Sequence, residues 1–131
     1  MTAITYTAKR SLISGHEAGA EYSIDVILEQ ADRSVRPIVD QQRAIGGSQE
    51  TLLHRVDVSW QIVIGSINNA GLPAMREFLD SVYAGENFII DIYGSVATAN
   101  DPITVEPVPG YQERRVDGAN WYVVPMTLRK V

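Results

Sequence analysis

No cysteine occurs anywhere in this chain of 131 residues. Disulfide staples and thiolate metal sites are therefore excluded, and a reducing compartment would be tolerated. Histidine is nearly as scarce. His16 and His54 are the only two, with no HxxxH-type spacing to hold a metal. No apolar run approaches the roughly 18 residues that span a bilayer, and "MTAITYTAKRS" lacks the basic and apolar regions of a signal peptide. Basic residues are outnumbered, 11 Lys and Arg against 16 Asp and Glu, leaving a net charge of −5. That balance argues against a duplex-binding surface, which needs clustered cations to displace counterions. It suits a surface that repels phosphate.

What is present is enough for one compact domain, residues 1–131, with 45% hydrophobic residues to fill a core. "AITYTA" and "EYSIDVILEQ" alternate as strands, and the second places Tyr22, Ile24, Val26 and Leu28 on one face. "SGHEAGAE" between them reads as a loop. The clearest strand follows Leu52. Leu52, His54, Val56, Val58, Trp60, Ile62 and Ile64 share an apolar face opposite a polar one. "LPAMREFLDSVYAG" predicts a helix capped by Asn69 or Gly71, with Pro73 in its first turn and Gly85 just past its end. Leu72, Met75, Phe78, Leu79 and Val82 make its apolar stripe. "NFIIDIY" is the returning strand, then "ITVEPV" and "NWYVVPMTLRKV" add two more. The expected core is Val56, Val58, Trp60, Ile62, Met75, Phe78, Leu79, Val82, Phe88 and Ile90. The fold class expected is α+β, a mainly antiparallel β-sandwich or split barrel with one flanking helix.

Residues 34–50 stand apart. They are polar, with Pro37 inside and Gly46-Gly47 near the end. Proline has no ladder donor, so this stretch reads as an edge strand or extended β-arm. Val35, Arg36, Pro37, Ile38, Val39, Ile45, Gly46 and Gly47 lie in it, a segment with no core pattern of its own.

No constellation carries chemistry. Ser14 and Ser48 have glycine neighbours but lie outside G-x-S-x-G, and "AIGGSQE" lacks the lysine and spacing of a phosphate loop. Asp25, Asp57 and Asp91 fall on polar strand faces, better read as an acidic surface than as an acid–base pair. His16, beside Glu17, reads as an exposed loop residue and His54 as a half-buried one. Arg114-Arg115 and Lys130 fit a salt-bridged face. Trp60 aligns with core positions, whereas Trp121 lies off the Tyr122–Val124 face and is open to a subunit contact. No catalytic residue, cofactor or metal is expected.

The runs "GGSQETLLHRVDVSWQIVIG", "FLDSVYAGENFIIDIYGS" and "WYVVPMTLRKV", with F-L-x-S-x-x-x-G-x-x-F-x-x-D from Phe78 to Asp91, resemble the β-hub proteins of tailed bacteriophages, the distal tail and minor tail ring proteins and the related tail-tube fold. The resemblance covers about Gln49 to Val131. It implies a non-enzymatic virion subunit, assembled in the host cytoplasm into a hexameric ring that joins tail tube to baseplate. Its partners would be copies of itself and the tube, hub and tape-measure proteins, and it implies that Val35, Arg36, Pro37, Ile38, Val39, Ile45, Gly46 and Gly47 of the arm are subunit contacts, a strand added to a neighbour. DNA would pass its lumen without specific binding, and no membrane is implied. One departure is that many distal tail proteins carry a second, carbohydrate-binding-like domain, so this chain would be the ring domain alone. A tail-tube subunit, and from another class a small cytoplasmic binding protein or hydrolase, remain as alternatives.

Overall fold

A computed structural model describes residues 2–9, 13–43, 49–116 and 121–131; for 38–43 and 49–55 only the backbone is considered. The chain runs β1 (Thr2–Thr7), β2 (Glu21–Arg43), β3 (Gln49–Ile67), α1 (Leu72–Val82), β4 (Phe88–Asp91), β5 (Ile103–Pro107), β6 (Arg114–Arg115) and β7 (Tyr122–Lys130). The sheet order is β3-β2-β1-β4-β5-β7, and β3 also pairs with β7, so six strands close into a barrel while β6 only extends β7. All the pairings are antiparallel. The α+β, mainly antiparallel expectation is met. The sheet is a closed barrel rather than two facing layers.

Alternation builds the interior. Ile4 and Tyr6 from β1, Ile62 and Ile64 from β3, Ile90 from β4, Val105 from β5 and Val124 and Leu128 from β7 are all at most 1% exposed. Each such burial contributes roughly 1.5–3 kcal/mol. The helix packs on this interior with more than its predicted stripe. Leu72, Met75, Phe78, Leu79 and Val82 are buried, and so are Glu77 and Ser81. Phe78 sits between Tyr6 (ring centroids 5.4 Å apart) and Phe88 (5.0 Å, 79° between planes). The helix begins after Gly71, whose N–H is held by the Asn68 side chain at 2.8 Å. It ends at Val82, and the turn that follows closes at Gly85, whose N–H donates to Val82 O at 3.0 Å and whose φ is +96°, a conformation glycine adopts without strain.

Two bulges shape the long strands. Leu28 pairs with Ile64 and Gln30 with Val63, so Glu29 is an extra residue on β2. Ile38 pairs with Arg55 and Val39 with Leu53, so His54 is an extra residue on β3. Such insertions bend and twist a strand. The first also reverses the parity of β2. Up to Leu28 the even residues share the face of Ile64. Beyond Glu29 the odd residues Ala31, Arg33, Val35 and Pro37 lie opposite Ile62, Trp60, Val58 and Val56.

Candidate functional site: a projecting hairpin

Long strands in a short barrel leave part of the sheet uncovered. β1 pairs with β2 no further than Val26, and β7 pairs with β3 no further than Ser59. From there nine cross-strand pairs, Val35 with Val58 through Arg43 with Gln49, run on as a two-stranded ribbon. At about 3.3 Å per residue that is a projection of about 30 Å. Among the described residues no third strand lies beside it, so both edges present unpaired backbone N–H and C=O groups. The described backbone of the expected arm is paired with itself: 34–43 form the outer part of β2, and 49 and 50 begin the β3 strand that runs back beside it.

The ribbon root has one apolar and one polar face. Val35, Pro37, Val56 and Val58 share the first; Ser34, Arg36, Asp57 and Ser59 share the second. Val35 and Val56 are each 47% exposed. Val56, expected in the core, is therefore a surface residue, because the barrel wall that would cover it ends at Ser59. Val58 is half-buried at the rim. Of the remaining expected core residues, Trp60 is 7% exposed, and Ile62, Met75, Phe78, Leu79, Val82, Phe88 and Ile90 are at most 3%. Arg36 lies exposed in register with Asp57. The side chains of Ile38 and Val39, and residues Ile45, Gly46, Gly47 and Ser48, lie outside the described residues.

Beside the hairpin root an open groove of about 670 Å³ runs along the end of β7. Arg36, Arg129 and Lys130 border it, and Val56, Val58 and Val131 contribute its apolar part. Two carboxylates line it as well, Asp57 and Glu106, the latter paired with Arg129 at 3.3 Å.

Three of the polar groups weighed for chemistry, His16, Asp25 and Asp91, are engaged in building the barrel and its loops. His16 does not stand free in its loop: its Nδ1 lies 2.7 Å from Glu77 Oε1, and its ring stacks flat on Tyr22 at 3.8 Å. The Tyr6 hydroxyl donates to the same oxygen at 2.8 Å, and Glu77 has no solvent exposure. Nothing in the spacing of Glu77 marks it as more than a polar helix position. Burial first, then the hydrogen bond to Glu77, push the Tyr6 phenol well above the ordinary tyrosine range.

Asp91 is also internal, 4% exposed. Its carboxylate accepts the Asn100 N–H at 2.7 Å and the Asp101 N–H at 3.1 Å. The Asn100 N–H above all holds this carboxyl below the usual range. Asp25 Oδ1 accepts the Val96 N–H at 2.9 Å, so two carboxylates pin the 92–101 loop. Asp25, Asp57 and Asp91 thus do not form a joint acid–base centre. Arg114, Arg115 and Trp121 are exposed around β6, away from the β5–β7 corner that carries Lys130. Among the described residues no three His, Asp or Glu side chains are grouped to hold a metal, and no helix is long and apolar enough to cross a membrane.

Neither a known family profile nor a curated protein sequence matches this chain. Solved structures do. One is a chain of the tail of an empty GTA particle with C6 symmetry, at TM-score 0.56 and 10% identity, covering 98% of this chain and 89% of that one. Another is a chain of the six-fold symmetrised baseplate of the anti-feeding prophage, at TM-score 0.54 and 16% identity, covering 99% and 88%. The overall fold of this chain is thus shared with a chain of a particle tail and a chain of a baseplate.

Proposed function

We propose that this protein is a structural, non-catalytic subunit of a phage-like tail. It forms a closed ring, six copies in the reading carried from the resemblance, at the distal end where the tail tube meets the baseplate. The observation that carries the reading is the hairpin. A two-stranded ribbon is at best marginally stable in water, and this one exposes a valine-bearing face and two open edges. Pairing with a neighbouring copy would satisfy those backbone groups and cover Val35 and Val56. The likeness to chains from two six-fold assemblies supports the same conclusion. The ring would enclose a lumen through which DNA passes, and the net charge of −5 suits a wall that does not retain it.

The test joins Ser34 directly to Ser59, a cross-strand pair, through an Asn-Gly turn, which removes the described ribbon as a unit. Negative-stain electron microscopy and light-scattering mass should show rings for the full chain and a folded monomer for the shortened one. Rings from the shortened chain would remove the hairpin from assembly. Long cylinders from the full chain would favour a tail-tube subunit over a hub ring.

A further inference from the structure

We infer that the 92–101 loop of one copy docks into the Arg36–Arg129–Lys130 groove of the next, a contact that rests on the ring reading above. The loop is built to be both rigid and exposed. Asp91 and Asp25 hold its backbone through Asn100, Asp101 and Val96, and within it Ser95 N–H donates to Thr98 O at 2.8 Å. The Thr2 hydroxyl ties its start to the barrel through Ile92 O at 2.8 Å. Yet it turns Tyr93 outward at 80% exposure and Val96 at 51%. A loop ordered in advance loses little entropy on binding, and tyrosine is among the commonest interface anchors.

The groove matches it in chemistry. An apolar tip flanked by the exposed acids Asp25 and Asp101 meets a groove to whose lining Val56, Val58 and Val131 contribute apolar groups and Arg36, Arg129 and Lys130 contribute cations. Arg129 and Glu106 are paired with each other, and the groove as a whole sets three cations against two carboxylates, Asp57 and Glu106, so one positive charge is in excess. The placement matches too. The loop sits on the wall made by β1, β2 and β4, and the groove is lined from β3, β5 and the end of β7, with Arg36 reaching it from the ribbon half of β2. In the closed order β3-β2-β1-β4-β5-β7 these are opposite sides of the barrel. Two different, complementary patches on opposite sides make a head-to-tail contact, the kind that closes into a ring when the rotation permits.

The experiment uses two surface variants, Tyr93→Ser and the pair Arg129→Glu with Lys130→Glu, and reads mass by light scattering and sedimentation. Circular dichroism should match the full chain in both. Each variant alone should be monomeric, its self-association weakened by at least about tenfold. Their equimolar mixture should give a dimer and nothing larger, because one variant keeps the groove and the other keeps the loop. Variants that still form full-size rings would overturn this contact while leaving the ring reading intact. A mixture that stays monomeric would overturn the head-to-tail pairing. A wild-type chain monomeric at every concentration would overturn both.

Discussion

The Tyr6 hydroxyl donates a 2.8 Å hydrogen bond to Glu77 Oε1, an oxygen that His16 also meets at 2.7 Å. This joins the first strand, the β1–β2 loop and the helix at a single buried carboxylate. Removing one partner leaves that carboxylate under-compensated where water does not replace it. Tyr6→Phe should lower unfolding free energy by about 1–3 kcal/mol, read as a lower denaturant midpoint at unchanged slope. The sign with pH follows from the raised phenol. Its stabilising share is complete below the ordinary tyrosine value of about 10 and is lost as pH rises toward the higher folded value. Alkaline titration of stability should therefore fall above about pH 10 in the wild type, and less steeply in Tyr6→Phe. Tyr111, pushed up to about 12 chiefly by its hydrogen bond to Asp80, adds a smaller decline over the same range, which the variant retains.

Asp91 makes the opposite prediction at acid pH. Its lowered carboxyl contributes stability present above the ordinary aspartate value and lost as pH falls through the folded one. Asp91→Ala should speed hydrogen exchange at the Asn100 and Asp101 amides and leave exchange in the β7 strand nearly unchanged. Gly94→Ala should act in the same direction, because a Cβ at Gly94 would overlap the Asp91 carboxylate. Unaltered exchange at both amides in Asp91→Ala would show that the loop is ordered by other contacts.

Phe78 is fully buried between two aromatic rings from the first and fourth strands. Phe78→Ala should cost about 3–5 kcal/mol, measured by chemical denaturation. Val56→Ala, at a position 47% exposed, should cost under about 0.5 kcal/mol. A comparable loss at the two sites would contradict the placement of Val56 outside the core.

Those two residues mark what was legible in the sequence. Phe78 belongs to a 3.6-residue stripe along a capped helix, and the helix depends on local chemistry that the stripe and its flanking Pro73 and Gly85 express. Val56 belongs to an equally regular two-residue alternation. Alternation reports which face a side chain takes; it does not report how far the neighbouring strands extend. β7 ends its pairing at Ser59, so the same pattern that buries Ile62 leaves Val56 open. Barrel closure through β3 and β7 was hidden for a similar reason, since it is set by register between strands about 60 residues apart. Glu77 was unreadable because its burial is made by His16 and Tyr6, each about 60–70 positions away.

The bulge at Glu29 has a consequence for the whole molecule. A two-residue alternation carried unbroken from Tyr22 onward would point Asp32, Ser34 and Arg36 to the side that Val35 and Pro37 now occupy. One inserted residue acts as a half-period phase slip, so a single uninterrupted strand writes two messages of opposite parity, barrel wall first and projecting ribbon second. Deleting Glu29 would not simply shorten the strand; it would turn one of its two halves inside out.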